Sequence, residues 1–211
     1  RLQLINDNYG INLTYATLAA VMKYPTGSDG VPPKKEDRKK DVARKKHGYF
    51  QSEKTIVEEI WGKTGLKEGV RHPLTFIMEA CDDVAYSVLD AEDAIKKGLV
   101  SFSDLMSYLE HHTNGDSAIK KVHEDSCKKH KKYRDEKLSP AELNDISMQR
   151  FRVFAIGQMI NDVREAFLKH KDQIMAGDLK SDLLTVSDSN RLCEVLKQFD
   201  KEHAYVHRSV L

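Results

Sequence analysis

The stretch that most restricts the fold runs from Arg71 to Gly98. Pro73 suits the first turn of a helix and Gly98 the position just past the end of one, so the spacing predicts a single long helix between them. At about 100° per residue, Ile77, Cys81, Val84, Val88, Ala91 and Ile95 line one stripe, widened by Leu74, Met78, Ala85 and Leu89. That stripe is expected to be core. With a helix of this length at its centre and no convincing strand pair elsewhere, the chain is expected to be all-α.

Along the margin of the apolar arc, Asp82, Tyr86 and Asp90 follow one another at spacings of four, so a carboxylate, a phenol and a second carboxylate climb one face. An ionised Asp at the edge of a core is costly unless a cation, a metal or hydrogen-bond donors hold it. The residues alone leave two readings. Asp82, Asp83, Asp90, Glu92 and Asp93 form a solvated acidic face with Tyr86 lying among them, or the helix presents these groups to a ligand.

Around this helix the chain reads as further helices. Residues 11–24 form an apolar segment with Asn12 or Thr14 as cap and Pro25 as stop, expected to be well buried. Residues 26–46 form a loop with a basic end, either a solvated connector or an electrostatic wall facing polyphosphate or nucleic acid. A helix from Ser52 and Glu53 carries Ile56, Val57, Ile60 and Trp61 and ends by Gly62 or Gly65. Ser101 caps another through Leu105, Met106, Tyr108 and Leu109 to His111 and His112, with a turn at Asn114-Gly115. Ser139-Pro140 followed by Glu142 starts a long helix with Phe151, Phe154, Ile156, Met159, Ile160, Val163 and Phe167 as its core side, and Ser187-Asp188-Ser189 caps a last one with Leu192, Val195, Leu196 and Phe199. The chain is expected to divide into residues 1–137 and a helical extension packed on it, 138–211.

Composition narrows the class. A net charge of +1 argues for no partner by itself, although residues 116–137 are locally basic. No run approaches the 18 apolar residues or so that a membrane span needs. Cys81, Cys127 and Cys193 are odd in number and lack a C-x-x-C spacing, which favours reduced thiols and a cytoplasmic setting. The chain opens at Arg1 with an amphipathic Leu2, Leu4 and Ile5 and is expected to be an internal piece of a longer protein.

The run from Pro73 through Asp82-Asp83-Val84-Ala85-Tyr86 to Asp90-Ala91-Glu92-Asp93-Ala94 resembles a signature of bacterial deoxyguanosinetriphosphate triphosphohydrolases, within the His-Asp (HD) domain metal phosphohydrolase superfamily. Gly10-Ile11-Asn12-Leu13-Thr14-Tyr15 with Lys23-Tyr24-Pro25, and Lys46-His47-Gly48-Tyr49-Phe50, resemble two further elements of that family, in the same order. The resemblance implies a partial HD-domain-like helical bundle and hydrolysis of dGTP to deoxyguanosine and inorganic triphosphate by water attack at the α-phosphorus. It implies a divalent metal, Mg or Mn, with Asp82 as the last of its ligands. Tyr86 and Asp90 then line the deoxyribose, and Lys23, Tyr24 and Lys46 contact phosphate. It also implies a homo-oligomer, by family habit a hexamer, and a single-stranded DNA effector. No adjacent His-Asp pair occurs in the chain, so the other ligands and the general acid and base are expected upstream of Arg1, and the chain alone is expected to be inactive.

Other readings compete. The cations at 34–46 and 128–134 fit a helical single-stranded nucleic-acid-binding module, and an HD-family hydrolase of broader dNTP specificity fits the same motifs. Arg150 and Arg152, flanking Phe151, either aim at phosphate or sit at the surface ends of a buried helix. His123, Cys127 and His130 share one helix face and form a weak zinc pattern lacking a fourth ligand.

Overall fold

A computed structural model describes residues 11–28 and 41–203. Among them are eight α-helices and no strand: α1 (Tyr15–Val21), α2 (Lys54–Thr64), α3 (Pro73–Lys96), α4 (Phe102–His111), α5 (Ser117–Arg134), α6 (Pro140–Lys169), α7 (Lys171–Ala176) and α8 (Asn190–His203). The expected all-α class is what the chain adopts. The chain divides into two compact units, the first running to Glu79 and resuming over Lys169–Leu183, the second comprising Ala80–Leu168 and the chain from Leu184. Leu2, Leu4, Ile5 and the 29–40 part of the basic loop lie outside the described residues.

In the first unit α1 is shorter than residues 11–24 and is not well buried. Asn12 has φ 50°, which a helix does not accommodate, so the helix begins after Thr14, whose side chain accepts from the Thr17 amide. Ala19 alone is buried in α1, while Ile11 and Val21 are 60% and 57% exposed. The unit's small core is Tyr49, Val57 and Trp61 with Met22 and Leu66, Tyr49 meeting Trp61 edge-on at 6.0 Å. α2 starts at Lys54, directly after a 3-10 turn at Gln51–Glu53 and within two residues of the expected start, and leaves Ile56 half exposed; it ends at Gly65, whose φ of 72° makes it the left-handed cap.

The second unit holds the larger core, in which Phe102, Leu105, Leu109, Ile119, Met148, Phe151, Met159, Leu192, Leu196 and Phe199 are all but completely buried. Its start signals behave as expected. Ser101 and Asp104 exchange bonds in a capping box at α4, and Ser139 with Glu142 does the same ahead of α6. On α6, Phe151, Met159 and Val163 are buried, but Ile160 is 52% exposed.

The buried side of α3 is not the one that apolar counting selects. Phe76, Ala80, Val84, Ser87, Val88, Ala91, Ala94 and Ile95 face inward, whereas Cys81 is exposed and Leu74 and Leu89 are 53% and 44% exposed. The buried arc is turned by roughly a quarter of the wheel from the apolar stripe. Two causes are visible. Small residues admit close packing, and Glu79 and Glu92, costly to bury alone, have cations waiting for them: Arg71 and Lys23 for the first, Arg152 and Lys96 for the second.

Candidate functional site

Within the first unit, two short segments are laced together beside the end of α1. The Gly48 amide donates to the Thr26 carbonyl at 2.9 Å, the Ser28 amide to the Tyr49 carbonyl at 3.1 Å, and the His47 ring meets the Gly27 carbonyl through Nδ1 at 2.7 Å. Gly48 has to be glycine: a Cβ there would fall 1.8 Å from the Tyr24 carbonyl oxygen. That close approach carries Lys46 to Lys23-Tyr24-Pro25.

Three cations then surround one ring. Lys23 Nζ, Lys46 Nζ and the Arg71 guanidinium carbon lie 5.9, 6.0 and 5.8 Å from the Tyr24 centroid. Lys46 is exposed and Lys23 half-buried, both within reach of solvent, while Arg71 is buried. Lys23 Nζ is held at 2.8 Å by Glu79, which also takes Arg71 at 2.6 Å. Burial, aided by Asp182 alongside, holds the Glu79 carboxyl above the usual range against the pull of Lys23 and Arg71. The sequence reading named Lys23, Tyr24 and Lys46, and the structure brings them together. It missed Arg71, Glu79 and Asp182; no local signal pairs Arg71 with Asp182, 111 residues away.

Asp82, Tyr86 and Asp90 lie on the part of α3 that belongs to the second unit. Asp82 is exposed, Tyr86 is 62% exposed and Asp90 is half-buried. None of the three makes a side-chain hydrogen bond to another described residue; of the other carboxylates of the helix, Glu79 and Glu92 are doubly paired and Asp83 binds Lys197 at 2.7 Å, while exposed Asp93 is likewise without a partner among the described residues. Asp200 on α8 is near enough to Asp90 to feel its charge, and burial first, then Asp90, pushes the Asp200 carboxyl up to about 6.

The remaining sequence candidates have structural partners. Arg152 forks onto Glu92 at 2.8 and 3.0 Å, and Arg150 donates to the Tyr133 hydroxyl at 2.9 Å. His130 meets the Ser147 hydroxyl at 2.8 Å and stacks on Phe102, while His123 and Cys127 touch at 3.4 Å. Among the described residues no three His, Cys, Asp or Glu side chains converge as a metal site. No described helix is long and apolar enough to cross a membrane.

No family model matches the chain. Curated proteins do, over its whole length. Deoxyguanosinetriphosphate triphosphohydrolase-like proteins of Listeria monocytogenes and Synechocystis are 32% and 30% identical to it, each over all of the chain. Deoxyguanosinetriphosphate triphosphohydrolase of Salmonella typhimurium is 30% identical over 99% of the chain. The chain is a homologue of the deoxyguanosinetriphosphate triphosphohydrolases. It spans 43%, 45% and 41% of the lengths of those three proteins, respectively. The similarity to these proteins runs beyond Lys23-Tyr24-Pro25, Lys46-His47-Gly48 and the α3 run and takes in α4 to α8 as well.

Proposed function

We propose that the complete protein is a metal-dependent dNTP triphosphohydrolase that cleaves dGTP to deoxyguanosine and inorganic triphosphate by water attack at the α-phosphorus. The observation that carries this reading is the α3 face, where Asp82, Tyr86 and Asp90 stand at successive turns without hydrogen-bond partners among the described residues, whereas Glu79, Asp83 and Glu92 on the same helix are paired. Of the three, half-buried Asp90 is the one for which a missing partner costs most. Left unpaired, they suit presentation to a ligand. In this reading the Asp90 carboxylate accepts from a sugar hydroxyl, and the Tyr86 ring restricts substituents on the sugar. Lys23 and Lys46 supply point charges for a polyanionic tail.

The described residues do not by themselves fit a divalent metal, since they contribute one exposed carboxylate, Asp82, and no converging set. Mg or Mn in the complete protein would take Asp82 together with residues that these helices do not supply. What can be assigned to this chain is binding and orientation.

The test is triphosphate release by the complete protein supplied with Mg or Mn and each of the four dNTPs, resolved by ion chromatography. Asp82→Ala is expected to abolish release. Retention of wild-type release by Asp82→Ala refutes the reading, and equal rates on all four dNTPs replace guanine preference with the broader specificity.

A second reading rests on α5. Lys121, Lys128, Lys129, Lys131, Lys132 and Arg134 have no ion-pair partner among the described residues, and Lys120 alone on that helix reaches a carboxylate, Glu124 at 3.9 Å. Such a face suits the phosphates of single-stranded DNA, acting either as an effector of the hydrolase or as the ligand of a binding module. Assembly as a homo-oligomer, a hexamer by family habit, and a cytoplasmic setting that suits the three free thiols belong to the same proposal.

A further inference from the structure

Arg71 is 3% exposed, and each hydrogen bond it makes ends on a different stretch of the first unit. Nε donates to the Lys23 carbonyl at 2.9 Å. Nη1 donates to Glu79 at 2.6 Å and to Asp182 at 3.2 Å, and Nη2 donates to the Val42 carbonyl at 3.2 Å. The acceptors belong to the turn after α1, the first turns of α3, the segment before α8 and the 3-10 turn Val42–Arg44, which runs directly into Lys45 and Lys46. Asp182 reaches Lys45 at 4.0 Å, and the Val42 amide is held by the Lys180 carbonyl at 3.1 Å. Both lysines over the Tyr24 ring are thus set in place by segments that one guanidinium ties down.

We propose that Arg71, with Glu79, is a positioning pair for the phosphate-binding lysines: Arg71 fixes the backbone that carries Lys23 and Lys46, and Glu79 aims the Lys23 ammonium. This rests on the hydrolase reading of Lys23 and Lys46. Stability alone is a poor explanation for burying an arginine with two acids, because well-packed apolar side chains of similar volume commonly serve a core as well or better. A planar fork with five donors is the group that reaches four oxygens in fixed directions, and a lysine in its place cannot. The Arg71 guanidinium also lies 5.8 Å from the centroid of the ring that the two lysines approach.

The experiment uses the complete protein and inorganic tripolyphosphate as the probe, titrated calorimetrically well below the melting temperature, with dGTP kinetics alongside. Arg71→Lys is expected to weaken tripolyphosphate binding and raise KM for dGTP by roughly tenfold, the size of one charge-assisted hydrogen bond, with kcat changed much less. In a Lys23→Met background the same substitution is expected to cost less than in wild type, because part of its effect runs through Lys23 and the rest through Lys46. Glu79→Asp, which keeps the charge and withdraws it by one methylene, is expected to weaken binding several-fold and covers the case in which Arg71→Lys does not fold. Met159→Ala, a cavity in the second unit's core, is the control: it lowers the melting temperature and leaves tripolyphosphate affinity alone.

Wild-type affinity and KM in folded Arg71→Lys or Glu79→Asp, or full additivity with Lys23→Met, overturns the positioning role while leaving the hydrolase reading standing. A wild-type protein that binds neither tripolyphosphate nor any dNTP overturns that reading and this inference with it.

Discussion

Replacing Gly48 by Ala tests whether the Lys23 and Lys46 segments are held together by the backbone contact described above. The added Cβ would sit 1.8 Å from the Tyr24 carbonyl oxygen, 2.7 Å from its carbon and 3.2 Å from the Tyr24 Cβ. Reaching even a tight 3.0 Å from that oxygen requires the two backbones to part by about 1.2 Å. Two bonds lie in the path, Gly48 N to Thr26 O at 2.9 Å and Ser28 N to Tyr49 O at 3.1 Å, and a shift of that size takes both beyond hydrogen-bonding range. Two backbone bonds at about 0.5–1.5 kcal/mol each and about 1–3 kcal/mol of overpacking put the cost at about 2–6 kcal/mol. For a chain of this size, at about 2–4 °C per kcal/mol, the melting temperature drops by about 4–24 °C.

Differential scanning calorimetry reads that change, and hydrogen exchange localises it to 24–28 and 46–50. Gly62→Ala supplies the control. Gly62 lies inside α2 with nothing within 4 Å of an added Cβ, so that substitution is expected to be neutral or to stabilise by up to about 1 kcal/mol. Should Gly48→Ala melt within a degree of wild type while exchange protection at Gly48 and Ser28 stays intact, the steric argument fails, and with it the account of how Lys46 comes to Tyr24.

Three further outcomes follow from the second unit. Arg152→Ala leaves the buried Glu92 with Lys96 as its remaining cation and is expected to destabilise by about 2–3 kcal/mol, read as a lower urea midpoint at an unchanged slope. Asp200 has a folded-state pKa of about 6, above its ordinary 3.8, so the native state binds that proton more tightly than the unfolded chain does. Its contribution to stability is complete below the ordinary value and is lost as pH rises through about 6, so wild type is expected to lose melting temperature between pH 4.5 and pH 7.5 relative to Asp200→Asn. Ser126 carries a buried hydroxyl without a partner among the described residues, so Ser126→Ala is expected to hold or raise the urea midpoint, by up to about 1 kcal/mol.

The amino-acid sequence by itself determined where most helices begin and end, because those signals are local. Pro73 and Gly98 bracket α3, Ser101 with Asp104 opens α4, and Ser139-Pro140 with Glu142 opens α6; each acts through bonds within one turn of its own residue. It also gathered Asp82, Tyr86 and Asp90 onto one face, since helical spacing alone does that. Only tertiary structure decided which way α3 faces. Burial of Glu79 and Glu92 depends on cations drawn from other segments, which periodicity does not see, and the helix turns Leu74, Cys81 and Leu89 outward as a result. The convergence of Lys23, Lys46 and Arg71 on Tyr24 was decided the same way, by a glycine that lets two backbones touch and by an acid more than a hundred residues downstream.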